Sequence, residues 1–144
     1  MLVGCFEGSG IGRGRGIHPQ YFEKELNEPI EAAFKTLLID LKRLGTQPFV
    51  VFIPTKEACY NEAYAKLFPE DEGYTKMEAD AFKSLWSIAS KEGVPFLDLT
   101  PAFRERSRSE QLYFDFDGHW NAAGHKYAAE LMLQAFWNTT IGEA

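Results

Sequence analysis

The chain has 144 residues, enough for one domain, and a formal net charge of −6 at neutral pH. Hydrophobic residues make up 45% of the sequence and aromatic residues 15%, which excludes a disordered chain and predicts a packed core. The negative charge argues against nonspecific binding of nucleic acid, because that binding needs clustered Lys and Arg. No stretch reaches the roughly 20 apolar residues of a membrane span. We therefore expect neither nucleic acid nor a membrane span.

The N-terminal region predicts a short strand and then a loop. Residues 1–7 have the apolar character of a buried strand, and residues 8–18 form a glycine-rich loop. The loop lacks the Lys-Ser/Thr pair of a P-loop and the spacing of a dinucleotide motif, so we interpret it as a connection.

Residues 2–5 look like a lipoprotein cleavage box without the segments that precede one. With no signal peptide in it, the chain as it stands predicts a cytoplasmic location.

The apolar pattern then predicts alternating helices and strands. Helices are expected at residues 19–44, 56–67, 76–91, 101–108 and 121–137. Short apolar runs at 49–53 and 94–99 predict strands covered on both faces, as in parallel sheets. Gly45 and Gly93 stand where a helix ends. This order, with short connections, indicates an α/β fold with right-handed crossovers, and the tail at 138–144 is expected to be frayed.

Three groups of residues predict structural roles. The first helix carries apolar residues at three-to-four-residue steps, which predict one buried face: Phe22, Leu26, Ile30, Ala33, Phe34, Leu37, Leu38, Leu41 and Leu44. Arg104, Arg106 and Arg108 alternate with Glu105 and lie near Glu110, a pattern typical of a solvated helix face. Cys59 is expected to be a buried thiol, since the two cysteines form neither a disulfide framework nor a spaced metal pair.

The strongest chemical signal is Asp117-Gly118-His119, in a turn before the last helix. A carboxylate that holds one imidazole nitrogen fixes the tautomer and stabilises the imidazolium, so the other nitrogen can take a proton from a hydroxyl. The turn follows the strand at 94–99, and functional groups gather beyond the carboxyl ends of parallel strands, so we expect His119 at that edge. The alternative is that Asp117 and Asn121 cap the last helix and His119 is merely exposed.

Metal binding and ligand stacking are further alternatives around this turn. Suitable metal ligands are Asp115, Asp117, His119 and His125, but no helical His pair or Cys pair fixes a geometry. We therefore expect no metal and no cofactor. Tyr113 and Trp120 could stack on a sugar ring, with packing as the alternative, and Asn121 beside them is a third candidate for substrate binding.

Three segments together resemble one known family. Residues 112–125, LYFDFDGHWNAAGH, resemble the closing motif of SGNH (GDSL-type) hydrolases, in the branch similar to alginate-type O-acetyltransferases. Residues 49–60 resemble that branch's strand ending in Ile-Pro-Ser/Thr-Lys-Glu, and residues 96–103 resemble the strand and helix before the catalytic loop. The three segments occur in the family's order, so the resemblance covers residues from about 20 to 137.

The resemblance implies a fold and an activity. The fold would be an α/β, three-layer α/β/α sandwich with a parallel sheet, of the SGNH (flavodoxin-like) type, present here as one truncated domain over residues 1–144. The activity would be that of an acyl-ester hydrolase or O-acetyltransferase acting on an acetylated glycan or another small ester. Asp117 would orient His119, and His119 would be the general base. Members of the family are often periplasmic or secreted.

The family's Gly-Asp-Ser nucleophile motif does not occur in the sequence. By the resemblance, residues 2–10 match the family's third strand, with Ser9 where the family has Asn and Gly10 where it has Asp. The chain would then be the C-terminal part of the domain, with the nucleophile outside it. Gly8 and Ser9 are candidates for the rim of the site or for the oxyanion hole. The alternative is that Ser9 is a substitute nucleophile.

The missing nucleophile leaves two hypotheses about function. As an enzyme, the chain alone should be weak or inactive, because loss of the nucleophile removes most of a triad's contribution. The rival is a noncatalytic α/β module that binds a partner or self-associates. An exposed sheet edge, with its unpaired backbone groups, would then favour a homo-oligomer.

Overall fold

The computed structural model describes residues 24–69 and 72–141. The elements in these residues are, in chain order, α1 (Lys24–Arg43), β1 (Val50–Phe52), α2 (Lys56–Cys59), α3 (Asn61–Leu67), α4 (Glu72–Lys91), β2 (Phe96–Asp98), α5 (Thr100–Arg106) and α6 (Ala122–Ile141). Strands β1 and β2 pair in parallel, so the predicted α/β class is confirmed. No helix in this part of the chain combines the length and the apolar character that crossing a membrane requires.

The chain divides into two units. The sheet unit contains described residues 24–52 and 72–97, and the loop unit contains described residues 53–69 and 98–141. In the sheet unit, α1 packs against α4 around buried Leu38, Ala89 and Val94. Phe82 of α4 meets the rings of Phe52 and Phe96 edge-on, at centroid distances of 5.2 and 5.8 Å.

Both long helices of the sheet unit end as their glycines predict. Gly45 and Gly93 have φ angles of 77° and 64°, a backbone conformation that favours glycine. After α1, the N–H groups of Gly45 and Thr46 donate to carbonyls of the last helical turn at 3.0 and 3.1 Å, and Gly93 and Val94 repeat this after α4. This is the Schellman arrangement, and it turns each helix directly toward the strand that follows.

The predicted buried face of α1 is narrower in the structure. Leu38 is buried and Phe34 is half-buried, but Ile30, Leu37 and Leu44 are exposed. In the described part of the sheet unit, α4 is the helix that packs on α1. A single helix covers fewer of the apolar residues of α1 than the sequence pattern predicts to be buried.

Several predicted boundaries need correction. The helix expected at 56–67 is two helices, because Tyr60 leaves helical geometry (φ −99°, ψ 34°) between them. The strands are shorter than predicted and half-buried rather than fully covered. Helix α6 continues to Ile141, so the expected frayed tail is helical as far as that residue. The predicted strand at 1–7 and the glycine-rich loop at 8–18, with Gly8 and Ser9, lie outside the described residues.

Candidate functional site

The residues of the predicted site lie on one loop of the loop unit. Tyr113 and Trp120 form an antiparallel bridge, and residues 114–119 between them are named here the Asp–His loop. At the loop's base, the N–H of Phe114 donates to the carbonyl of His119 at 3.0 Å. The N–H of Asn121 donates to the carbonyl of Leu112, also at 3.0 Å. The backbone thus closes the loop just before α6 begins.

Asp117 and His119 meet within this loop. One carboxylate oxygen of Asp117 accepts the backbone N–H of His119 at 2.8 Å, and the other lies 3.4 Å from Nδ1 of the His119 ring. The second distance is longer than an ordinary N–H···O bond, and such contacts commonly tighten only when substrate binds. The His119 side chain is 85% exposed and that of Asp117 is 37% exposed. The imidazole therefore faces solvent with a carboxylate beside one of its nitrogens.

Lys56 binds the backbone of the Asp–His loop. Its side chain is 1% exposed, and its Nζ donates to the carbonyls of Phe114, Asp115 and Asp117 at 2.8, 3.1 and 3.4 Å. Lys56 begins α2, and Thr55 caps that helix by accepting the N–H of Ala58 at 3.2 Å. Lys56 is not among the site residues predicted from the sequence. The signal that could have revealed it was the Pro-Thr-Lys-Glu segment, since a lysine at the buried start of a helix needs acceptors.

Tyr113 supports the loop and cannot stack on a ligand. Its side chain is 1% exposed, and its hydroxyl donates to the carbonyl of Pro54 at 2.7 Å. Its ring packs edge-on against Tyr60 and Phe103, and its hydroxyl lies 3.4 Å from Sγ of Cys59, which is buried as predicted. The prediction of a sugar-stacking role for Tyr113 is therefore wrong, because the ring lies in the core.

The other two substrate-binding candidates also make structural contacts. Trp120 is half-buried, with its ring tilted over Phe103 at 5.0 Å and edge-on to His125 at 5.5 Å. Asn121 caps α6, since its side-chain oxygen accepts the N–H of Gly124 at 3.0 Å. The amide nitrogen of Asn121 donates to the carbonyl of Gln111 at 2.7 Å. The helix-capping alternative therefore describes Asn121, whereas Asp117 turns to His119.

Gly124 allows α6 to approach the segment before the loop. A Cβ at this position would overlap the carbonyl oxygen of Leu112 and would lie 3.0 Å from Cβ of Trp120. The same Leu112 carbonyl accepts the N–H of Asn121. The glycine thus lets the first turn of the helix rest directly on the base of the Asp–His loop.

The acidic and histidine side chains around the loop do not gather into a metal site. In residues 24–69 and 72–141, no three His, Cys, Asp or Glu side chains lie close enough to hold an ion. The carboxylate of Asp115 instead accepts Nε2 of Gln111 at 2.6 Å, and His125 packs against Trp120.

Two exposed rings flank the acidic residues of the loop. Phe114 and Phe116 lie with their centroids 5.6 Å apart and their planes 26° apart, and Phe116 is 68% exposed. These two residues are not among the predicted site residues, although their alternation with Asp115 and Asp117 is visible in the sequence. Exposed aromatic residues beside a reactive pair are a candidate surface for ligand contact.

In the part of the chain that the structure describes, no nucleophile is hydrogen-bonded to His119. No serine hydroxyl in the part of the chain that the structure describes forms a hydrogen bond with the His119 ring. Ser107, for example, is buried and donates to the carbonyl of Arg104 at 2.9 Å. A cleft of about 310 Å³ elsewhere in the loop unit is lined by Tyr60, Lys66 and Arg108 among others, and it includes neither Asp117 nor His119.

The described residues thus form an α/β fold with an exposed histidine and its aspartate on a loop before the last helix. The comparison with protein families is more specific. Residues 19–143 match the model of the SGNH hydrolase-like domain of acetyltransferase AlgX. The chain belongs to this family, which confirms the resemblance seen in the sequence. Comparisons with curated proteins and with solved structures gave no match.

Proposed function

We propose that this chain carries the acid–base pair of an acyl-ester hydrolase or O-acetyltransferase that acts on an acetylated carbohydrate. The observation that carries the proposal is the position of Asp117, whose carboxylate lies at both the backbone N–H and the ring Nδ1 of a solvent-facing His119. A carboxylate in that position selects the tautomer whose other nitrogen can accept a proton. Membership of the family supports the reaction class.

In the proposed reaction, the imidazole of His119 takes the proton of a serine hydroxyl while the serine oxygen attacks the ester carbonyl. The tetrahedral adduct then collapses, and the imidazolium returns the proton to the departing sugar oxygen. This leaves an acetyl group on the serine. Water or an acceptor hydroxyl, deprotonated by the same imidazole, releases it. Asp117 stays ionised throughout and stabilises the imidazolium.

The serine must come from outside the described residues. The sequence contains no Gly-Asp-Ser, and Ser9 and any sequence beyond these 144 residues remain as sources. A carbohydrate substrate is supported by the exposed, stacked rings of Phe114 and Phe116, which offer an apolar surface on the same loop as His119.

The proposal is tested by measuring p-nitrophenyl acetate hydrolysis in the complete natural polypeptide that contains these residues. His119→Ala should lower kcat by about 10²- to 10⁴-fold, because it removes the general base. The mutation should leave the fold intact, since the side chain is 85% exposed. His125→Ala is the matched control. It removes an imidazole that packs on Trp120 outside the Asp–His loop, and it should change kcat at most a few-fold.

Hydrolysis that is equally fast with and without the His119 imidazole would contradict the catalytic role. A polypeptide with no ester hydrolysis that nevertheless binds an acetylated glycan, with loss of binding in Phe116→Ala, would instead favour the noncatalytic module.

A further inference from the structure

We propose that Lys56 is a positioning residue of the site: its buried ammonium gathers backbone carbonyls of the Asp–His loop and thereby holds the Asp117 carboxylate at His119. The role rests on the proposed function of the Asp–His pair. Lys56 acts on the pair through the backbone, because its ammonium bonds to backbone carbonyls of the loop.

The contacts of Lys56 match the chemistry of an ammonium group. An ammonium has three N–H donors and cannot accept a hydrogen bond. Three carbonyl oxygens of the loop lie 2.8 to 3.4 Å from Nζ and can receive these donors. Burying an ammonium is costly unless its donors are satisfied. A methionine would fill the same space without that cost. Packing alone therefore does not explain a lysine here, whereas organisation of the loop does.

Among residues 24–69 and 72–141, Lys56 is the contact to the loop that comes from far along the chain. Five of its residues are exposed, so the described loop has almost no apolar burial of its own: Phe114, Asp115, Phe116, Gly118 and His119. The backbone bridge and Gln111, which binds Asp115, come from residues close in the chain. Lys56 instead reaches the loop from 58 to 61 residues away. Such a contact ties the loop to the folded unit.

The effect on the site is geometric. The carbonyl of Asp117 belongs to the peptide that leads to Gly118, so holding that oxygen fixes the backbone from which the Asp117 side chain extends. The carboxylate can then accept the N–H of His119 and lie near the ring. Without the ammonium, the three carbonyls lose a hydrogen-bond donor and the loop can rearrange toward water.

The test compares Lys56→Met with Arg104→Met. Methionine keeps most of the Lys56 stem and removes the ammonium. Arg104 is the matched control, because it also donates to a backbone carbonyl in the loop unit, that of Ala58 at 3.0 and 3.2 Å, away from the Asp–His loop. The readouts are ¹⁵N shifts of the His119 ring, amide exchange at His119, and steady-state kinetics of the complete polypeptide.

In Lys56→Met we expect the ring shifts of His119 to move to those of a free imidazole and its amide to exchange about tenfold faster. The kcat should fall by about tenfold with little change in KM for a small ester, since such a substrate does not contact Lys56. Amide exchange at Phe103 in α5 should be unchanged. Arg104→Met should leave the ring shifts and the exchange at His119 as in the wild type.

The proposal is overturned if Lys56→Met leaves the His119 ring shifts and amide exchange unchanged. If the ring shifts and the amide exchange change but neither the wild type nor any variant hydrolyses esters, the positioning role stands and the proposed function fails. If Lys56→Met does not fold, Lys56→Arg is measured instead. A planar guanidinium cannot meet three converging carbonyls as an ammonium does. Faster exchange at His119 is then expected, and wild-type exchange in a folded Lys56→Arg protein overturns the proposal.

Discussion

A single carboxylate, that of Asp117, contacts both the main chain and the side chain of His119. One oxygen accepts the backbone N–H at 2.8 Å, and the other lies 3.4 Å from the ring Nδ1. The backbone contact is a local turn of the kind that Asp forms with a residue two positions later. It places the second oxygen beside the ring before any ligand arrives.

Asp117→Asn separates these two roles. The amide oxygen can still accept the N–H of His119, so the turn should persist and the free energy of unfolding should change little. The negative charge beside Nδ1 is lost, so kcat should fall by about 10²- to 10⁴-fold if the pair is catalytic. Activity with p-nitrophenyl acetate and thermal unfolding of the same preparation check both parts.

Asp115→Asn is the control for Asp117→Asn. It removes a carboxylate two residues away, one that accepts from Gln111 rather than from His119. Its kcat should stay within a few-fold of the wild-type value. Equal losses in the two variants would show that net charge of the loop, and not the Asp117–His119 contact, controls the rate.

The sequence predicted those features whose cause is local. The glycines that end α1 and α4 adopt positive φ angles as expected, because glycine has the least steric penalty there. The break at Tyr60 could not be predicted, because it accompanies burial of this ring and a hydrogen bond from the N–H of Leu112 to its hydroxyl. Leu112 is 52 residues away in the chain, so local periodicity does not contain that contact.

The site shows the same division. The pairing of Asp117 with His119 follows from their spacing across one glycine, and the sequence therefore indicated it. The buried position of Tyr113 depends on Pro54, and the anchoring of the loop depends on Lys56. Both come from the segment after β1, which no pattern within residues 112–125 identifies.

Tyr113→Phe should lower the free energy of unfolding by about 1–3 kcal/mol. The substitution keeps the buried ring but leaves the carbonyl of Pro54 without the hydroxyl that donates to it at 2.7 Å. Urea unfolding measures the change. Tyr127→Phe is the control, because the half-buried Tyr127 ring packs on Phe103 and its hydroxyl makes no described hydrogen bond, so a change within about 0.5 kcal/mol is expected. Similar losses in both variants would contradict the importance of the Pro54 contact.

Asn121→Ala should cost about 1–3 kcal/mol, because it removes both the cap of α6 and the donor to the carbonyl of Gln111. Asn121→Ser keeps a side-chain oxygen that can accept the N–H of Gly124, and it puts no second acceptor against the carbonyl of Gln111. It loses the donor to Gln111 but keeps the cap, so it should be less destabilised than Asn121→Ala. Chemical denaturation of the two variants checks the order, and the reverse order would contradict the capping role.

Gly124→Ala gives the sharpest test of the close contact between α6 and the base of the Asp–His loop. Helix propensity alone predicts that alanine stabilises a helix by about 1 kcal/mol relative to glycine. The Cβ would, however, overlap the Leu112 carbonyl oxygen, which is backbone and cannot move without disturbing its bond from Asn121. We therefore expect the opposite sign, a loss of about 1–3 kcal/mol in the free energy of unfolding.

Gly118→Ala is the control for Gly124→Ala, because a Cβ at Gly118 meets nothing within 4 Å and the position has no positive φ. Its stability should change by no more than about 0.5 kcal/mol. Displacing the Leu112 carbonyl in Gly124→Ala should also move the backbone that closes the Asp–His loop, so the amide shift of Asn121 is expected to change in that variant alone. A Gly124→Ala protein as stable as the wild type would mean that α6 does not rest on Leu112.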